Sequence, residues 1–237
     1  MKSVIQGPNE RQFRKYKEIA IALHIPVFES FLTLEVRDST GKIVQTYKDR
    51  AHSWNRNFYN LIYSQAACEE IDDPTTFGDG LLNYKKTDGT VGSSNQVGYI
   101  STAQPDIQAG GYRGASGDDT YGILVGSNTA AFDFNNYALV TKIANGTGSG
   151  QLSHVLGEIP VRTWTLATRV MKNEWTRYFN NNSGAAINVN EVGLVSSNMS
   201  GSGYPGLVAR DVLGSTVSVP NNGQLKVIYT VQITYPS

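Results

Sequence analysis

Carboxylates and histidines are the residues most able to do chemistry in this chain. Glu158, Glu174 and Glu191 fall in its strand-rich second half, and Glu29 and Glu35 near the start of the first strands. A glycosidase needs two such groups at a set separation. Residues on different strands do not carry that separation in their spacing, so structural roles compete with an acid–base pair. Glu191 is the most informative of the five, because it sits where the hydrophobic alternation slips and a β-bulge would re-aim side chains. The three histidines are His24, His52 and His154. A serine hydrolase of the elbow type would need Gly-x-Ser-x-Gly, which is absent. Gly146-Thr147-Gly148-Ser149-Gly150 has the composition of a phosphate loop, but a strand-like segment follows it and no Gly-Lys-Ser/Thr does, so a turn is expected. Asp72, Asp73, Asp79, Asp118 and Asp119 lack EF-hand spacing and its terminal Glu, which favours solvated acidic turns over a calcium loop. His154 and Glu158 are four apart, a spacing that brings metal ligands together on a helix and not on a strand. The single cysteine, Cys68, allows neither an intramolecular disulfide nor a Cys-based zinc site. The expectation is therefore no catalytic residue, no cofactor and no metal, and a protein that is not an enzyme.

The elements that would position these residues follow from composition and pattern. Twenty basic and 20 acidic residues cancel in 237, which argues against a partner bound through phosphates. The longest purely aliphatic run, Ile19 to Leu23, is far short of the roughly 20 residues that span a bilayer, and no classical secretion signal is visible. Gly (24), Ser (20), Asn (19) and Thr (19) outweigh helix-surface residues and point to a β-rich chain.

Residues 1–29 read as an N-terminal arm. Asn9 caps a helix over Glu10 to Leu23, with Phe13, Tyr16, Ala20 and Leu23 on one face and Arg11, Arg14, Lys15 and Lys17 on the other; Pro26 ends it. The interleaved aromatic and basic residues are a weak nucleic-acid signature, diluted by Glu10 and Glu18. A protein partner fits better, with Phe13, Arg14, Tyr16 and Lys17 as assembly contacts. A solvated segment packed on its own body is the competing reading.

Residues 30–237 read as a β-sandwich domain. Alternation over Phe31 to Arg37, the turn Asp38 to Gly41, and Lys42 to Lys48 make a hairpin. Ser53 then caps one short helix at about 54–65, with Trp54, Phe58, Leu61 and Ile62 on its apolar face and Asn57, Asn60 and Ser64 turned away. The glycine-rich stretch 66–120 is expected to be a long loop insertion on the surface or on a neighbouring subunit. Further strands are expected at Tyr121–Val125, Ala138–Ile143, Leu152–Ile159, Val161–Met171, Trp175–Asn180, Ile187–Val195, Leu207–Leu213 and Gln224–Tyr235. A phase slip between Val189 and Val192 marks a bulge near Asn190-Glu191. Many strands at short spacing imply an antiparallel, mainly β sandwich or jelly-roll-like fold.

Three stretches together carry a resemblance. They are Ser53-Trp54-Asn55-Arg56-Asn57-Phe58-Tyr59-Asn60-Leu61; Gly122-Ile123-Leu124-Val125-Gly126 with Tyr137-Ala138-Leu139 and Gly146 to Leu152; and Asn190-Glu191-Val192-Gly193-Leu194 with Ala209-Arg210-Asp211-Val212-Leu213 and Gly223 to Val227. This order resembles structural proteins of tailed bacteriophages and related viruses over roughly residues 31–63 and 121–235. The resemblance implies a non-enzymatic virion subunit, capsid-decorating or tail-associated, made in the host cytoplasm. Its partners would be other copies of itself and other virion proteins, with neither nucleic acid nor membrane. The alternative is a glycan-binding β-sandwich used for receptor recognition, with Tyr112, Tyr121 and Tyr204 as its aromatic platform.

Overall fold

The computed structural model describes residues 10–67, 84–91, 111–197 and 205–236. The chain is mainly β and its strands pair antiparallel. In order, the elements are α1 (Glu10–Ala22), β1 (Val27–Arg37), β2 (Ile43–Arg50), α2 (Arg56–Ala67), β3 (Gly122–Gly126), β4 (Ser153–His154), β5 (Val161–Thr165), β6 (Val170–Asn180), β7 (Ile187–Ser196), β8 (Gly206–Val219) and β9 (Gln224–Thr234). One sheet runs β2-β1-β9-β6-β4, with β5 pairing the first half of β6; the other runs β3-β7-β8. β9 lies between β1 and β6 and pairs both along its whole length.

The alternation of β1 and β9 decides which face is buried. Leu32, Leu34 and Val36 and their neighbours Leu225, Val227 and Tyr229 point into one core. The small sheet supplies Val189, Val192, Leu194, Val208, Val217 and Val219 from the other side, giving a β-sandwich-like body. The small sheet is covered on both faces. Leu124, Leu139, Val195 and Leu207 form a second cluster under the 127–143 loop, so β3 is buried at every position.

Several sequence expectations shift in detail. The hairpin β1–β2 forms, and β1 starts at Val27, so the end of the expected arm is already sheet. The second helix is Arg56–Ala67 rather than 54–65, while the helix expected in the arm forms as α1, ending at Ala22. Ser53 does not cap α2. The Asn55 carboxamide oxygen accepts from Phe58 N–H (3.2 Å), while Ser53 C=O accepts from Arg210 N–H on β8. Asn57 and Asn60 face inward, and Ile62 is exposed. Ala138–Ile143 is loop, because its amides are taken by a side chain described below. Val161–Met171 splits into β5 and β6 at a 3-10 turn, Leu166–Thr168, closed by Arg169 in the left-handed region (φ 51°). The bulge falls where expected, between Val189 and Glu191. Two described parts of the 66–120 stretch pack on the body instead of standing off it: Tyr84 is a core residue, and 111–120 wraps a buried side chain of β6.

Candidate assembly surface

The polar residues that looked capable of chemistry are mostly engaged in holding loops. Glu191 and Arg210 are both fully buried and paired (Nε to Oε2, 2.6 Å). The other Glu191 oxygen accepts from Thr141 N–H at 2.8 Å, and Arg210 donates to the carbonyls of Ala130 and Ala131 and to the Asn136 side chain. The bulge turns Glu191 towards this loop. A side chain on Gly126 would collide with the Glu191 carboxylate at 2.4 Å, so glycine is required there.

Arg177, on β6, is another buried cation, and among the described residues it has no carboxylate partner. It donates to the carbonyls of Val155, Tyr121, Ile123, Ala115 and Asp118, at 2.5–3.1 Å. Burial pulls its pKa down to about 10. His154 lies beside it, edge-on to Phe179 at 4.9 Å. Burial, reinforced by the Arg177 charge, holds its pKa down at about 4, so the ring is neutral. Asp211 accepts from His52 N–H, Ser53 N–H and Tyr229 O–H; burial raises both its pKa and that of the tyrosine. Asn55 and Asn57 both donate to Leu207 C=O, and Asn57 also clasps Lys85 through its backbone N–H and C=O. These groups point into packed protein and tie loops to sheets. Among the described residues, no three His, Cys, Asp or Glu side chains gather as metal ligands, and no helix is long and apolar enough to cross a membrane.

Two of the three tyrosines considered for glycan binding are engaged in packing. Tyr112 packs against Trp175 (5.4 Å) in the main core, where desolvation pushes its phenol up to about 12. Tyr121 packs on the separate cluster around Leu124. Tyr204 lies outside the described residues.

The arm contacts divide. Lys17 reaches Glu29 (2.7 Å), and Arg50 bridges Glu10 (2.6 Å) and Glu29 (3.1 Å) while lying 3.7 Å over the Phe13 ring. Phe13 and Lys17 thus face the body, with Ala20 on the same side. Among the described residues Arg14 is tied only to Glu10 of its own helix, and Tyr16 is 58% exposed. The expected face of Phe13, Tyr16, Ala20 and Leu23 is therefore broken, and Tyr16 joins Ile19, Ile21 and Leu23 in solvent. The pairing geometry holds Glu10 ionised: the Arg50 hydrogen bond lowers its pKa despite some burial. For Glu29, burial is the largest influence and acts upward, but Lys17, Gln232 and Arg50 together outweigh it and the pKa is lowered. Between arm and body lies a cavity of about 580 Å³, walled by Phe28, Trp54, Phe58 and Tyr59 and rimmed by Arg50 and His52.

A second projection was not legible as a site. The large sheet extends past the small one, and among the described residues nothing covers the end of its inner face beyond Phe28, which stacks on Trp54 and Phe58. Cross-strand partners there form one row, Phe28–Ile233–Met171–Trp164, running from β1 to the outer edge of β5. Phe28, Met171 and Trp164 are each about half exposed, and Trp164 packs edge-on against Tyr235. Every residue of β5 is exposed.

The edges of the small sheet and the far half of β6 are closed. The later half of β8 meets the Gln45 side chain of β2, which donates to Thr216 C=O and accepts from Ser218 N–H. The outer edge of β2 carries Lys48 and a bulge at Val44, between Ile43 and Gln45 in its pairing with β1. β3 is met by Ser127–Thr141 and Ile143–Val125 bonds, β8 by Asn55 and Ser53, and the far half of β6 by Val155 and Glu158. Among the described residues, no bond reaches the outer edge of β5. No family model matches the sequence, and neither the curated proteins nor the solved structures contain a match to it.

Proposed function

We propose that this protein is a non-enzymatic structural subunit of a virus particle, capsid-decorating or tail-associated, and that it works by subunit–subunit assembly. The observation that carries the reading is where large apolar side chains are exposed. Tyr16, Ile19, Ile21 and Leu23 on the arm, and Trp164, Leu166 and Met171 on the β5–β6 hairpin with Tyr235 after β9 beside them, flank the buried core of the body. Contiguous apolar exposure of this kind marks a surface that meets a partner. The placement of the particle rests on the resemblance of the α2, β3 and β7–β8 segments to phage structural proteins.

Sedimentation and particle incorporation test it, using the full chain and a version lacking residues 1–25. The truncated chain keeps β1 and should stay folded. It should associate and incorporate more weakly, and salt should change this only modestly because the net charge is zero. Monomers that enter no particle and bind a defined glycan would replace the proposal with the receptor-recognition reading.

A further inference from the structure

We infer that β5 pairs antiparallel with β5 of a second copy of this chain, across a two-fold axis at Thr163, joining the two large sheets edge to edge. This rests on the assembly reading and names the contact that carries it. An open strand edge is a template for another strand, and isolated proteins blunt such edges with lysine, proline, bulges or covering segments. Here β3, β8 and the far half of β6 are each closed by side chains or loops, and β2 is blunted by Lys48 and the bulge at Val44, while β5 has no cover among the described residues and contains no lysine, proline or bulge.

The strand is self-complementary. A two-fold at Thr163 sets Val161 opposite the partner's Thr165, and Arg162 opposite the partner's Trp164. Opposed residues of antiparallel strands project from the same face at about 4.5–5.5 Å between Cβ atoms. Each guanidinium then meets an indole, the pairing in which a cation over an aromatic ring is strongest. Within the protomer, Arg162 lies opposite Asn173 and Trp164 opposite Met171. The row Phe28–Ile233–Met171–Trp164 therefore continues into the partner's Arg162 and Asn173, and the reverse row is completed by symmetry. Uncovered rows on the two overhangs become one surface. The Asn173 side-chain oxygen, buried without a hydrogen-bond partner in the protomer, sits in the same row. A two-fold contact of this kind is closed, so it yields a dimer and leaves the arms free for other contacts.

A charge swap reads the register. Trp164→Lys places a lysine opposite the partner's Arg162 and should weaken the dimer roughly thirtyfold or more, the loss typical of a buried tryptophan contact. Arg162→Glu alone should also weaken it. The double variant sets glutamate against lysine across the axis and should recover dimerisation in sedimentation equilibrium. Thr163→Cys in a Cys68→Ser background should give a disulfide-linked dimer on oxidation. Melting curves of the variants control for folding, and they should match the parent at dilutions where it is monomeric, because the residues are exposed in the protomer.

An oligomer that survives Trp164→Lys and does not cross-link through position 163 overturns the β5 pairing and leaves the assembly reading standing. So does a monomer that still enters particles. A monomer that enters none overturns both.

Discussion

The small-sheet end of the body and the overhanging end of the large sheet treat their side chains in opposite ways. At the first, charged groups are buried: Arg177 of β6 and Glu191, Arg210 and Asp211 of the small sheet are matched by loop backbone, by Tyr229 or by one another. At the overhang, apolar groups are exposed and the backbone of β5 has one unmatched edge. Burying charge costs free energy unless hydrogen bonds replace water, so the first end gains shape and not net stability. Exposing a tryptophan and its neighbours likewise gains nothing for the isolated subunit. The contrast separates a region that fixes its own loops from one whose energetics are completed by another chain.

The strongest test of the contrast is Arg177→Met. Five carbonyls lose their donor in a packed site, and the cost should be on the order of 5 kcal/mol, read as a lower denaturant midpoint at unchanged slope. Arg177→Lys, with three donors, should fall between the two. Arg210→Met should cost about 3–5 kcal/mol, because the Glu191 carboxylate remains buried without its cation. If either variant melts like the parent, the buried end is not the rigid one.

His154 sharpens the comparison through pH. Its ordinary value of 6.5 falls to about 4 in the folded protein. Between those values the unfolded chain takes up a proton that the folded chain refuses. Stability should be full above about 6.5 and fall by roughly 3 kcal/mol as pH approaches 4. His154→Phe should flatten that slope in denaturation measured across the window.

The arm should respond at lower pH and by less. Glu10 and Glu29 both have lowered values, so their contribution is complete above the ordinary 4.5 and is lost as pH falls through the depressed value. Glu29→Gln should weaken the docking of α1 by about 1–2 kcal/mol, seen as faster proteolysis within residues 10–25. The smallest effect belongs to the hairpin tip. Leu166, 75% exposed, should tolerate Leu166→Ser within about 0.5 kcal/mol in the monomer.

Most strands and the bulge were legible because period-2 alternation is a strong signal, and a slip in it has one local cause, but Ala138–Ile143 is loop and the strand expected over Leu152–Ile159 is only Ser153–His154. β9 shows this best: its burial follows the alternation from Leu225 through Tyr229 and fades only where the small sheet ends. The polar interior was not legible. Binary patterning turns Asn57 and Asn60 outward, yet the backbone groups of Lys85 and Leu207 need the Asn57 amide within. Arg177 did leave a trace, since it shares inward parity with Phe179 on β6, but nothing nearby in sequence names its five carbonyl partners. The β5 edge escaped notice for a different reason. Val161 to Met171 reads as one strand, and only the left-handed Arg169 reveals that it folds back and leaves an edge open. In the arm, helix and charges were readable, but which face docks was fixed by Arg50 and Glu29, which lie outside the helix.

The position of β9 also governs the order in which the fold can be made. β1 and β6 never touch as neighbours in the sheet; they are joined to each other only through β9, an 11-residue strand synthesised last of the described elements. While the chain emerges from the ribosome, the β1–β2 hairpin must wait with Leu32, Leu34 and Val36 uncovered by their strand partner for the time needed to translate nearly 200 further residues, on the order of 10–40 s. Contacts between such distant positions close slowly, and the waiting hairpin is an aggregation hazard throughout. A protein made this way is limited less by its final stability than by how well its first strands are sheltered before its last one arrives.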